Sequence, residues 1–411
     1  MRFNTALLHG DFRGDKKTGA TQTPVYQSSA FEHASAETLE KIFNNKAPGF
    51  SYSRISNPTV DAFERRMTAL EGGIASVSCA SGMAAITNAF TNILRSGDEI
   101  VCSASLYGGS IDLFRDLENF GIKTHYVENN NIEQFEAATN DNTRLYFAET
   151  IGNPRLDVTD IKLLSETAHK AGVPLIVDNT VATAYLIKPI EYGADIVVNS
   201  TSKYVNGNSN SISGVITDSG NFKWDSVKYP GMKEYAKFGP YAYTAKLRNG
   251  IYRNTGACLS PQNAFYNILG IETLGLRMER ITDNALKLAE YLDTNYSFLN
   301  VNYPGLKSSE FHAIADKELN NGYGGIITIG TGSKENAFKF INALKLPLNV
   351  SNIGDTKTLV IHPGSTISAH STEEEKKIAG VFDDLVRISV GIEDIEDLIE
   401  DFTQAVEFIQ Q

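Results

Sequence analysis

Val173-Pro-Leu-Ile-Val-Asp-Asn-Thr180 and Ile196-Val-Val-Asn-Ser-Thr-Ser-Lys203 decide the fold. Each opens on a short apolar run without polar alternation and then stops on ionisable or hydroxyl side chains. Runs of that kind are strands buried on both faces, as in a parallel sheet covered by helices. Further runs at Ala75–Ser78, Glu99–Ser103, Ile122–Val127, Arg144–Glu149 and Ser213–Thr217 read the same way. Between them Met83–Leu94, Ile111–Phe120 and Ile161–Ala171 carry apolar residues at helical spacing. Gly97, Gly121 and Gly172 stand just past those segments, where a left-handed C-cap is expected. The alternation predicts βαβ units, hence an α/β chain with a large, mostly parallel sheet.

Asn221–Arg248, rich in Tyr, Lys and Gly, fits neither period and is expected to wrap the surface or an interface. Beyond it Ser260–Arg280 and Thr282–Leu292 read as successive helices with a break near Asp283–Asn284. A smaller α/β set follows: Gly325–Gly330, a Lys334–Leu344 helix, Thr358–His362, Glu373–Val381, Val386–Val390 and a closing helix to Gln410. The first 50 or so residues have little periodicity. The expected organisation is an N-terminal arm (1–55), a large domain (56–250) and a smaller C-terminal domain (251–411), with the boundary near Asn249–Gly256.

With 411 residues, 42% hydrophobic and 21% charged, the chain can bury a sizeable core and is a poor candidate for disorder. Its net charge of −12, without a Lys/Arg-rich block, argues against nucleic acid, since phosphate neutralisation needs clustered cations. Cys79, Cys102 and Cys258 are isolated, and the histidines, His362 and His370 included, lack ligand spacing. Neither a disulfide framework nor a metal site is expected. The start has no apolar leader, and no apolar stretch is long enough to cross a membrane. The expected compartment is the cytoplasm, and the expected partner is a small molecule or another copy of the chain.

In an open parallel sheet, ligands bind beyond the carboxyl ends of the strands. The residues there are Ser81-Gly82-Met83, Tyr107-Gly108-Gly109, Glu149 with Gly152-Asn153-Pro154, Asp178-Asn179-Thr180 and Ser200-Thr201-Ser202-Lys203. Ser81-Gly82-Met83 opens a helix, which suits either an anion at its first amides or a plain N-cap. Asp178, at the rim of an apolar strand, needs a cation or a ring N–H as partner, or else caps a helix. Lys203 follows an apolar run, and a lysine held over such a floor would have the depressed pKa suited to Schiff-base chemistry, or else it is a solvated surface group. An amine, a carboxylate for a pyridinium, anion donors and the aromatic face of Tyr107 together are what pyridoxal 5′-phosphate needs.

The chain resembles the Cys/Met-metabolism family of pyridoxal-phosphate enzymes. The resemblance rests on Ser-Tyr-Ser-Arg-Ile-Ser-Asn-Pro-Thr (51–59), Ser-Gly-Met (81–83), Leu-Tyr-Gly-Gly (106–109), Glu-Thr-Ile-Gly-Asn-Pro (149–154), Asp-Asn-Thr (178–180), Ser-Thr-Ser-Lys-Tyr (200–204), Leu-Arg-Met-Glu-Arg (276–280) and Arg-Ile-Ser-Val-Gly-Ile-Glu (387–393). It implies the aminotransferase-like fold-type I architecture. Lys203 would then be the Schiff-base lysine, Asp178 the pyridinium partner and Tyr107 the ring-stacking residue. Gly82, Met83, Ser200 and Ser202 would hold the phosphate. Tyr52 and Arg54 would reach it from a neighbouring subunit of a homotetramer. Arg387 would bind the substrate carboxylate, with Asn153 and Ser351 beside it. Its setting inside the apolar Leu385–Val390 strand supports that role, because a planar fork there needs a carboxylate, from substrate or from an acidic neighbour.

Within the family, Gly152-Asn153-Pro154, Gly109 and Thr358–Thr366 resemble O-acetylhomoserine sulfhydrylases, although Gly364 stands where Ala is usual and Ser202 where Thr is commoner. The implied reaction is γ-replacement on O-acetyl-L-homoserine by sulfide or a small thiol, giving homocysteine or methionine plus acetate. Lys203 would move the protons and Tyr107 would assist near the leaving group. The rivals are a γ-elimination lyase (of the methionine, cystathionine or homocysteine type) and a non-catalytic sensor that keeps the fold.

Overall fold

The computed structural model describes residues 1–10, 14–15 and 18–410. Its larger sheet has seven strands: β1 (Ala75–Cys79), β2 (Glu99–Ser103), β3 (Lys123–Val127), β4 (Thr143–Glu149), β5 (Leu175–Asp178), β6 (Ile196–Asn199) and β7 (Gly214–Asp218). They lie in the order β1-β7-β6-β5-β4-β2-β3. β2 to β6 and β3 pair in parallel, whereas β7 runs antiparallel to both β6 and β1. The exception has a local cause. β6 and β7 are joined by the loop Ser200–Ser213, which has no crossover helix to bring the chain back in the same direction.

Adjacent residues of one strand serve opposite cores. Val177 and Val197 belong to one apolar cluster, Ile176 and Val198 to another across the sheet. The uninterrupted apolar runs follow from that double burial. Cys79 and Cys102 are buried there and form no disulfide. Gly97, Gly121 and Gly172 hold φ of 92°, 76° and 69°, the left-handed region expected of them.

The second sheet, in the order β10-β11-β12-β9-β8, comprises β8 (Asn300–Asn302), β9 (Ile326–Gly330), β10 (Leu348–Asn349), β11 (Leu359–Ile361) and β12 (Leu385–Ser389). β12 lies inside it, between β11 and β9, so Arg387 emerges from a strand paired on both edges.

Three expectations are corrected. Asn221–Arg248 is not irregular throughout: Pro230–Tyr241 forms 3-10 turns broken at Gly239 (φ 58°), and Ala242–Asn249 is an α-helix. Aromatic packing rather than periodicity fixes it. Trp224 stacks on Tyr243 at 5.4 Å, and the Tyr229 hydroxyl donates to the Arg144 carbonyl at 2.8 Å. The break between the two long helices falls at Thr273, between Pro261–Glu272 and Leu274–Asn295. Asn284 stays inside the second helix because its side chain donates to the Gly391 and Glu393 carbonyls. The N-terminal region also contains two short helices, Phe3–His9 and Ala36–Phe43. Among the described residues no helix is long and apolar enough to cross a membrane.

Candidate active site

A cavity of about 410 Å³ opens where the carboxyl ends of β4, β5 and β6 face β12 and the loop before β11. Gly82, Met83, Tyr107, Asn153, Asp178, Ser200, Ser202, Lys203, Ser351 and Arg387 all line it. Tyr52 and Arg54 do not. Tyr52 is 43% exposed, and the Arg54 guanidinium lies over its ring and donates to the Arg253 carbonyl at 2.7 Å.

The helix Gly82–Thr91 points its amino end at the cavity. Ser81 caps it, its hydroxyl accepting the Ala84 N–H at 3.0 Å. The capping reading is therefore met, and the Gly82 and Met83 amides remain without acceptors inside the helix, available to an anion. Gly82 also permits a close approach: a Cβ there would stand 2.5 Å from Ser200 Cβ. Ser202 is more committed, its hydroxyl donating to the Ser213 carbonyl at 3.0 Å and accepting the Ser213 N–H at 2.8 Å. Gly82→Ala should push Ser200 out of the cradle. Overpacking of this kind costs about 1–3 kcal/mol, and where that cost falls on the cradle a phosphate-bearing ligand should bind roughly 5- to 150-fold more weakly. A pyridoxal phosphate titration with unchanged affinity would disprove the close approach.

Charge is arranged in opposition across the cavity. Burial, and then the Arg387 cation, lowers the Lys203 ammonium pKa to about 8. Its Nζ donates to Asn352 Oδ1 at 2.6 Å. Glu149 and Asp178 are direct neighbours in the parallel pairing of β4 with β5. Burial raises Asp178 to about 6, against hydrogen bonds from Thr180, whose N–H donates to Oδ1 at 2.9 Å. Asp178 is not the cap of the next helix, which starts at Thr183 after Ala182. Burial, and next the Asp178 charge, lifts Glu149 well above the usual carboxyl range, although the Tyr107 N–H donates to it at 2.6 Å. Burial pushes both carboxyls up, Glu149 the further, so Asp178 is the better placed of the two to meet a cation.

Arg387 is 3% exposed. Its Nη1 donates to Asn153 Oδ1 and its Nη2 to the Asn352 carbonyl, both at 3.1 Å. Among the described residues no carboxylate lies within ion-pair distance of it, so the acidic-neighbour reading fails. Burial draws its pKa down to about 10. A buried guanidinium held only by neutral oxygens, at the wall of a cavity, is built to receive an anion.

The depressed lysine, the cradle that a Cβ would fill and an Asp178 that burial raises only to about 6 fit pyridoxal phosphate. Sequence reasoning assigned no role to Asn352, which touches both Lys203 and Arg387. It follows Ser351 in a segment without periodicity, and no local signal marks it. Glu149 was visible as a strand end, but its raised pKa comes from burial and then from Asp178, and both depend on the folded sheet.

Residues 4–407 match the family described as Cys/Met metabolism PLP-dependent enzyme. The O-acetyl-L-homoserine sulfhydrylase of Corynebacterium glutamicum is 43% identical over 97% of this chain and 95% of its own. A putative O-acetylhomoserine (thiol)-lyase from Campylobacter jejuni, solved with a pyridoxyl-lysine monophosphate, superposes with a TM-score of 0.95 at 32% identity, covering 99% and 100% of the two chains. The cystathionine gamma-lyase of Lactobacillus plantarum, complexed with L-serine, gives a TM-score of 0.88 at 30% identity, covering 100% of both.

Proposed function

The chain belongs to the Cys/Met metabolism family of pyridoxal-phosphate-dependent enzymes, and from that premise we propose that it catalyses γ-replacement on O-acetyl-L-homoserine. Sulfide or a small thiol enters, acetate leaves, and homocysteine or methionine is formed. One observation carries the reading: a buried, carboxylate-free Arg387 shares a cavity with a half-buried lysine and a half-buried aspartate. When bound, pyridoxal phosphate supplies an electron sink that stabilises negative charge at the substrate carbons.

The side chains divide the remaining work. Arg387, held by Asn153 and the Asn352 carbonyl, grips the amino-acid carboxylate and fixes which Cα bond faces Lys203. The Lys203 amine, partly neutral because it is buried, takes the Cα proton and returns protons along the chain to Cβ. Asp178 keeps a proton on the pyridine nitrogen, and Glu149, being neutral, does not compete for it. Tyr107, 41% exposed at the mouth, assists proton transfer near the departing acetate. Gly82 and Met83 amides with the Ser200 and Ser202 hydroxyls hold the phosphate, Ser202 by giving up its bond to Ser213.

Tyr52 and Arg54 act in a neighbouring subunit of a cytoplasmic homotetramer. Their position off this chain's own cavity supports that, as does the helix Ala36–Phe43, which buries none of its residues. The deciding experiment is a product panel. O-acetyl-L-homoserine with sulfide should yield homocysteine and acetate in equal amounts. The likeness to a cystathionine gamma-lyase favours elimination as second reading. Ammonia and 2-oxobutanoate, released from methionine, homocysteine or cystathionine without sulfide, would replace the first reading with that one.

A further inference from the structure

Asn352 meets three groups, two of which, Lys203 and Arg387, the catalytic scheme treats as separate. Its Oδ1 accepts from Lys203 Nζ at 2.6 Å, its carbonyl accepts from Arg387 Nη2 at 3.1 Å, and its Nδ2 donates to Ser209 Oγ at 2.9 Å. Ser209 in turn donates to the Asp355 carboxylate. Burial alone would raise Asp355, yet the Ser209 hydroxyl and the Lys357 N–H hold it below its ordinary value, as an anion. The direction of every bond then follows. A carboxylate only accepts, so Ser209 must spend its single proton on Asp355, and its oxygen is left to accept from Asn352. The amide therefore shows its NH2 to Ser209 and its oxygen to Lys203. Ser209 is held at φ 52°, a left-handed conformation uncommon for a residue with a side chain, in the loop that carries Lys203.

We propose that Asn352 is a positioning residue: the Asp355–Ser209–Asn352 chain aims the amide oxygen at the lysine amine while the same residue's carbonyl holds Arg387. The amine and the carboxylate clamp are thereby kept at one spacing, and the amine has a fixed resting place whenever it is off the cofactor. This rests on the reading of Lys203 as the cofactor lysine. The titratable or charged groups that share the cavity with Lys203 are Tyr107, Glu149 at the end of β4, Asp178 at the end of β5 and Arg387 on β12. Of these only Arg387 is in hydrogen-bond contact with Asn352, and through the backbone carbonyl, which a side-chain substitution keeps.

The test measures the pH midpoint for acetylation of Lys203 in the cofactor-free full chain, followed on its peptide by mass spectrometry, beside the pH profile of the loaded enzyme. Asn352→Asp places a negative charge on the amine and should raise the midpoint by about one unit or more. Asn352→Ala removes the acceptor and should lower it. Ser209→Ala, which frees the amide, should move it in the same direction as Asn352→Ala, by less. In the loaded enzyme the alkaline-rising limb should follow the same order. General loosening would shift all three variants alike. A common direction for Asn352→Asp and Asn352→Ala, or no shift in either, overturns the proposal. Borohydride reduction of the wild type tests the parent reading separately: cofactor mass absent from the Lys203 peptide would refute that reading, while the midpoints would still report whether Asn352 holds the amine.

Discussion

Lys203→Ala should lower turnover by at least about a thousandfold and remove the absorbance of the lysine-bound cofactor. General acid–base groups contribute about 10²–10⁴-fold on their own, and this amine is asked to serve at more than one carbon. Its setting explains why lysine is adequate. An ordinary lysine, pKa about 10.4, is neutral in roughly one molecule in a few thousand at pH 7, whereas a pKa of about 8 leaves about a tenth neutral. The sign follows from burial, which disfavours the charged form and moves deprotonation to lower pH. Wild-type activity should therefore climb between pH 7 and about 8.5 and then level. Lys203→Arg, which keeps a cation but cannot deprotonate, should be as inactive as the alanine variant while melting near the wild-type temperature. Turnover within tenfold of wild type in either variant would remove Lys203 from the mechanism.

The ends of β5 and β6 were legible because two independent signals coincide there. An apolar run without polar interruption marks double burial, and an ionisable residue at its end cannot be placed by burial alone. The left-handed glycines at 97, 121 and 172 were legible for a purely local reason, backbone sterics. Asn352 was not, since its role arises where the Ser200–Ser213 loop meets a segment about 150 residues away. The helix break at Thr273 was missed on similar grounds: Asn284 looks like a breaker until β12's exit supplies its two acceptors. Trp224 and Tyr243 organise the 221–249 region by a contact that no periodicity encodes.

Glu149 and Asp178 show how strand register becomes chemistry. Parallel pairing sets the two carboxyls side by side, and both cannot ionise cheaply in a buried place. The Tyr107 N–H alone does not offset burial at Glu149, which is pushed the further up, while Asp178 stays nearer its ordinary value, as the proposed pyridinium partner must. The same register also joins Tyr107, through its backbone, to the strand beside the aspartate.

Arg387→Ala should reduce kcat/KM for the amino-acid substrate by about 10²–10³-fold. Two charge-assisted hydrogen bonds from a guanidinium fork to a carboxylate, each about 1.5–3 kcal/mol, set that range once some rearrangement of the site is allowed. Arg387→Lys should recover only part of the loss, because an ammonium keeps the charge but not the planar pair of donors that Asn153 and the Asn352 carbonyl now aim. KM for the thiol or sulfide should change little, since that reactant has no carboxylate to clamp. A second signature is specific to this arrangement. The Arg387 cation is one of the two causes of the depressed Lys203 pKa. Its removal stabilises the protonated lysine, so the rising limb of the pH profile should move to higher pH in Arg387→Ala and stay near its place in Arg387→Lys. An unchanged amino-acid KM in both variants would end the case for Arg387 as the clamp. A raised KM with an unmoved limb in Arg387→Ala would leave the clamp standing but break its electrostatic link to the lysine.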